Sequence, residues 1–132
     1  MIKKLDHIAI VAKDLDKEIE KYKMLEGIEF MGTEIVEEQK IRAAFFKVGD
    51  IMLEVMEPTE ESSPVSSFLQ KRGGGIHHLA FEVDNIEKSI EDMKEKDIRM
   101  IDEKPRKGAH NSRIAFAHPK SFSGVLIELK EK

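Results

Sequence analysis

Two histidines and two glutamates carry most of the chemistry this chain can offer. His7 stands in "LDHIAIV" and His78 in "IHHLAFEV", while Glu54 stands in "IMLEVM" and Glu128 in "VLIELK". Each is a polar residue inside a run that otherwise alternates like a half-buried strand. A carboxylate between apolar neighbours is costly to desolvate unless something pairs it. Imidazole and carboxylate together suit a divalent transition metal, and four such ligands leave two positions of an octahedral ion open, as a catalytic site requires. The chain has no cysteine, which excludes disulfides, thiolate metal sites and thiol nucleophiles.

An internal duplication relates the four residues. Laying 5–22, "LDHIAIVAKDLDKEIEKY", over 76–93, "IHHLAFEVDNIEKSIEDM", puts His7 on His78, Ala9 on Ala80, Lys17 on Lys88, Ile19 on Ile90 and Glu20 on Glu91. At the same offset "RAAFF" (42–46) falls on "RIAFA" (113–117). After three extra residues in the second copy, "IMLEVM" (51–56) falls on "VLIELK" (125–130), and Glu54 lands on Glu128.

Each copy reads strand, helix, strand, strand, strand. Asp14 and Asp84 are the expected N-caps of helices whose apolar stripes are Leu15, Ile19, Tyr22 and Ile86, Ile90, Met93. "GIEFMGTEIV" and "DIRMIDEK" supply the second strands. "IRAAFFKVGDIMLEVME" is a hairpin turning at Gly49-Asp50, a pair suited to a type II′ turn. The matching turn of the second copy, 117–124, is the longer one. Ser63-Pro64 followed by Gly73 marks a short connecting helix at about 64–72. The expected organisation is one domain: module one about 1–58, the connecting helix segment about 62–73, and module two about 75–132.

Side chains alternate faces along a strand. His7, Ala9 and Val11 share one face, while Ile8 and Ile10 serve the helix on the other. By the repeat His78 follows His7, and its neighbour His77 points away as a bystander. Glu54 and Glu128 take the same side, so the four converge if the two copies pack about a pseudo-two-fold axis. His118, before Pro119, reads as structural, and His110 is an unassigned loop residue.

Composition limits the alternatives. With 40% apolar and 36% charged residues the chain reads as globular. A net charge of −4 gives no footprint for nucleic acid. No apolar run reaches the roughly 20 residues of a membrane span. Asp6, Lys13 and Asp14 interrupt any signal-peptide core, so no membrane partner and a cytoplasmic location are expected.

With these stretches, and with "VGDIMLEVMEPTEESSPVSSFLQKRGGGIHHLAFEVDNIE" and "DEKPRKGAHNSRIAFAHPKSFSGVLIEL", the whole chain resembles the vicinal oxygen chelate superfamily, and within it the methylmalonyl-CoA epimerases. The resemblance implies an α+β fold of two βαβββ modules forming an open, cup-shaped mixed sheet around a metal site. It implies His7, Glu54, His78 and Glu128 as metal ligands, a divalent metal (cobalt first, with manganese, nickel or zinc also suited), an acyl-CoA substrate and a homodimer. The implied reaction is R/S interconversion of methylmalonyl-CoA through a metal-stabilised enolate. Glu128 and Glu54 are the expected proton-transfer pair, with Glu37 and Glu38 in reserve. Lys120 and Ser121 in the long turn, and the loop "RKGAHNSR" (106–113), are expected to hold the substrate carboxylate or the CoA phosphates. Two departures from the family pattern stand out: some epimerases have Gln at the position of Glu54, and some have a glutamate base where this chain has Ala43. A glyoxalase I-type lactoylglutathione lyase ranks second, because "HPKSFSG" differs from that family's usual "DPDG". A metal-free small-molecule binding or resistance protein would not need all four ligands. A non-haem iron dioxygenase would use two His and one carboxylate, and here there are two.

Overall fold

The duplicated pattern folds as strand, helix and three strands, traced twice. The computed structural model describes residues 1–132, apart from the side chain of Ala109. Its elements are β1 (Ile2–Val11), α1 (Leu15–Lys23), β2 (Glu29–Val36), β3 (Ile41–Val48), β4 (Ile51–Pro58), α2 (Pro64–Arg72), β5 (Gly75–Val83), α3 (Ile86–Glu95), β6 (Arg106–Lys107), β7 (Arg113–Ala117) and β8 (Leu126–Glu131). The described strands run in the orders β2-β3-β4-β1 and β5-β8-β7-β6, each mixing parallel and antiparallel pairs. The chain divides into two compact units, His7–His77 and Met1–Asp6 with His78–Lys132.

In the unit His7–His77, β1 runs parallel to β4, and β3 pairs antiparallel with both β4 and β2. Asp14 is extended and accepts the Lys17 N–H at 3.3 Å, which starts α1. Leu15 and Ile19 then bury against Ala44, Phe46 and Val55, with Tyr22 and Phe30 tilted onto Phe46 at 5.2 and 5.3 Å. The opposite face carries Ala9, Val11, Ile41, Ala43 and Met56. There α2 lies on the sheet through Val65, Phe68 and Leu69. Ser63 caps α2, and Gly73 closes it in the left-handed region at φ 73°. The next residue, Gly74, has φ 114°, and a Cβ there would stand 2.9 Å from the Val11 carbonyl oxygen. At the β3–β4 turn Gly49 alone of the pair takes a positive φ, 58°, as a type II′ turn requires.

In the unit of Met1–Asp6 with His78–Lys132, β5 runs parallel to β8, and β7 pairs antiparallel with β8 and β6. Ile86 and Ile90 of α3 bury against Val83, Ala115 and Leu129. Two expectations need correction. The N-cap of α3 is Asn85, which accepts the Lys88 N–H at 3.1 Å. Asp84 instead holds the N-terminal amino group at 2.9 Å. In strict register with Asp14, the duplication points to Asn85 as well. The second correction is "DIRMIDEK", which forms no strand: Met100 makes one isolated bridge to Ala117, and β6 is only Arg106–Lys107. The reason is local competition. The Asp102 carboxylate accepts the Phe116 N–H at 2.9 Å, replacing the backbone partner a continuous ladder would supply.

Both units tie the helix start to the last strand in the same way. The Glu57 carboxylate accepts the Leu15 N–H at 2.8 Å, and Glu131 accepts the Ile86 N–H at 2.9 Å. Arg42 links Glu57 to Asp16, and Arg113 links Glu131 to Glu87. Each arrangement satisfies orphan amides at a helix N-terminus with negative charge.

Candidate metal centre

Parallel pairing places each histidine beside a carboxylate. In β1 and β4, His7 is in register with Met52 and Ala9 with Glu54, so both polar side chains leave the face that carries Ala9 and Val11. His7 Nε2 lies 3.6 Å from Glu54 Oε2. In β5 and β8, His78 is in register with Leu126 and Ala80 with Glu128, and His78 Nε2 lies 3.4 Å from Glu128 Oε1. The register is the same in both units. These separations exceed an ordinary hydrogen bond and are of the order expected between two ligand atoms on an ion with bonds of about 2.0–2.2 Å.

Among the described residues, His7, His78 and Glu128 each offer a ligand atom of the kind a metal ion takes. All three are buried. The donor set fits a divalent transition metal, because imidazole nitrogen and carboxylate oxygen are its preferred ligands and the charge of a buried carboxylate needs compensation. Each unit therefore holds a His–carboxylate pair whose donor atoms suit such an ion, His7 with Glu54 and His78 with Glu128. Glu54 is half-buried and meets His7.

The neighbours of His78 are ordered by packing. Phe116, in register with Glu128, stands edge-on to His78 at 5.7 Å. His77 points elsewhere, its ring edge-on to Phe68 of α2 at 5.0 Å. Burial, with Arg72 close by, pushes the His77 imidazole below its ordinary pKa and favours the neutral form.

The other sequence candidates fall at separate places. Lys120 and Ser121 are exposed on a 3-10 turn, Pro119–Phe122, which fills the longer connection between β7 and β8. The Lys120 N–H donates to His118 Nδ1 at 3.1 Å, and Ser121 Oγ accepts the Arg99 N–H at 3.3 Å. His118 is thus a turn cap. His110 is exposed in a 3-10 turn at φ 56°. Glu37 and Glu38 are exposed on the turn between β2 and β3. Ala43 is fully buried, with Ala9, Val11, Ile41 and Met56. The sequence singles out Arg106 only as part of the loop 106–113, and its guanidinium lies over the Phe116 ring at 5.1 Å.

Comparison with known proteins agrees with this geometry. Residues 6–116 match the family model described as the Glyoxalase/Bleomycin resistance protein/Dioxygenase superfamily. The mitochondrial methylmalonyl-CoA epimerase of Homo sapiens is 37% identical over 129 residues, covering 97% of this chain and 73% of that one. The ethylmalonyl-CoA/methylmalonyl-CoA epimerase of Cereibacter sphaeroides is 33% identical, covering 99% of each chain. A Streptomyces coelicolor methylmalonyl-CoA epimerase variant, solved in complex with 2-nitronate-propionyl-CoA, superposes with a TM-score of 0.88 at 38% identity, covering 100% of this chain and 96% of that one. No described helix is long and apolar enough to cross a membrane. The chain belongs to the glyoxalase/bleomycin resistance protein/dioxygenase superfamily, in the branch that holds the methylmalonyl-CoA epimerases.

Proposed function

We propose that this protein is a metal-dependent epimerase that interconverts the R and S forms of methylmalonyl-CoA. One observation carries the reading: the same His–carboxylate pair in each unit, His7 with Glu54 and His78 with Glu128, in a chain matched along its length by relatives of that name. His7, Glu54, His78 and Glu128 are the metal ligands of this reading. A divalent ion there supplies Lewis-acid stabilisation of the negative charge that builds on the thioester oxygen as the α proton leaves.

Inversion needs two proton-transfer groups. One removes the proton from one face of the α carbon, leaving the C–H electron pair on the substrate. The other delivers a proton to the opposite face, and the C–H bond re-forms with inverted configuration. Glu128 and Glu54 are assigned to these roles. Ala43 lies in an apolar cluster and holds no proton. Glu37 and Glu38 lie beyond the Ile41–Pro58 pair, about 13 Å along the ladder from the Glu54 row at the strand's usual rise. Glu54 therefore remains as the partner of Glu128. Lys120 and Ser121 are assigned to the CoA moiety, where an exposed turn suits a long, polar substituent.

Resemblance to the family supports cobalt as the ion, with manganese, nickel or zinc compatible with the same ligands, and a homodimer. Acyl-CoA thioesters are intracellular metabolites, which supports a cytoplasmic location. Metal-loaded protein is expected to exchange the α proton of methylmalonyl-CoA with solvent deuterium, followed by NMR. No exchange with any of these metals, beside robust turnover of the methylglyoxal–glutathione hemithioacetal, would move the assignment to a glyoxalase I-type lyase.

A further inference from the structure

One charged side chain on the face that carries His78 and Glu128 has no role in the reaction as described. Arg106 on β6 is in register with Ile114, two residues before Phe116 on β7. Phe116 is in register with Glu128, and Glu128 with Ala80, which shares its face with His78. Register thus puts Arg106, Phe116, Glu128 and His78 on one side of this unit's sheet. The Phe116 ring bridges them, lying beneath the guanidinium at 5.1 Å and edge-on to His78 at 5.7 Å.

The guanidinium is held at one end only. Its Nε pairs with Asp102 Oδ2 at 3.3 Å. Asp102 is itself fixed to Phe116, accepting that residue's N–H at 2.9 Å and donating its own N–H to the Phe116 carbonyl at 3.2 Å. Among the described residues the two terminal nitrogens of Arg106 meet no acceptor. An arginine anchored through Nε and laid on an aromatic face presents its terminal nitrogens as a pre-oriented fork, suited to a carboxylate. A single ring separates it from His78. That is the acyl end of a bound thioester, since the diphosphate of CoA lies a whole pantetheine arm away.

We propose that Arg106 recognises the free carboxylate of the acyl group, making the protein selective for malonyl-type CoA thioesters over neutral acyl-CoAs. The inference rests on the epimerase reading and adds the residue that sets its substrate class.

The test is calorimetric titration of metal-loaded wild type, Arg106→Met and Arg106→Lys with three probes. These are methylmalonyl-CoA, 2-methylbutyryl-CoA (an ethyl group in place of the carboxylate) and free CoA. Arg106→Met is expected to weaken methylmalonyl-CoA by about 10- to 100-fold, the worth of a charge-assisted hydrogen bond. Its metal content and its affinities for the other two probes should stay at wild-type values. Arg106→Lys should recover part of the loss, keeping the charge without the fork. An equal loss for free CoA would assign the arginine to the phosphates, and unchanged methylmalonyl-CoA affinity would remove it from the site. Loss of metal from Arg106→Met would make it a support for His78 instead. Each of these outcomes overturns the inference while wild-type exchange keeps the epimerase reading. Wild-type protein that neither binds nor exchanges methylmalonyl-CoA overturns both.

Discussion

Replacing each of the adjacent histidines by alanine separates a metal ligand from a packing residue one position away. A ligand that binds only the folded state stabilises it by about 2.7 kcal/mol at 100 times its Kd. For a domain of this size, at about 4 °C per kcal/mol, that raises Tm by about 10 °C. His78 is buried beside Glu128, its Nε2 at 3.4 Å from that carboxylate. Loss of a residue that merely supports a ligand costs about 10- to 100-fold in affinity, and loss of a ligand costs at least the top of that range. At the same metal concentration the stabilisation in His78→Ala then falls to about 0.4 kcal/mol, or about 2 °C. His77 instead contacts the edge of Phe68 at 5.0 Å. His77→Ala should lose about 0.5–1.5 kcal/mol of aromatic packing, lowering the metal-free Tm while keeping the full metal-dependent rise. Differential scanning calorimetry across a metal titration, with elemental analysis of both variants, measures the two effects separately. Equal metal-dependent rises in His77→Ala and His78→Ala would refute the assignment of His78.

Glu54→Gln keeps an oxygen for the metal but removes the base. It should retain metal and still exchange the proton on one face, while net epimerisation falls by about 10²–10⁴-fold; epimerisation near the wild-type rate would leave Glu54 as a ligand only. Arg113, and then the Ile86 N–H, hold the Glu131 carboxyl below its ordinary pKa. Its contribution to stability is therefore complete above the unfolded pKa of about 4.3 and is lost as pH falls through the lower folded value. Urea midpoints of Glu131→Gln should accordingly fall less steeply below that pH than those of wild type. Gly74→Ala puts a methyl against the Val11 carbonyl oxygen at a positive φ, and should destabilise by about 1–3 kcal/mol in urea melts; an unchanged midpoint would show that the chain yields there without cost.

Much of this molecule is legible in one dimension because the chain states its plan twice. Alternation alone separated the helix-facing Ile10, Leu53 and Val55 from the face that carries Ala9, Val11 and Met56, and the clusters agree. The Ser63-Pro64 start and Gly73 stop of α2 were equally local signals, set by backbone conformation within a few residues. The polar intruders His7, Glu54, His78 and Glu128 stood out for the same reason, since two copies of a strand pattern keep them at matching positions.

What sequence could not supply depended on register between distant segments. A histidine meets a carboxylate only when a parallel pair sets Ala9 opposite Glu54 and Ala80 opposite Glu128, and no periodicity encodes that match. The same limit hid Arg106 over Phe116 and the seat of α2 on the sheet. It also hid the Asp102 carboxylate that takes the Phe116 amide and ends the strand expected at "DIRMIDEK". Local pattern determined which way each side chain faces, because alternation is a property of a single strand. Only the tertiary structure decided which side chains meet, because pairing is chosen by the lowest free energy of the whole sheet and not by any one segment.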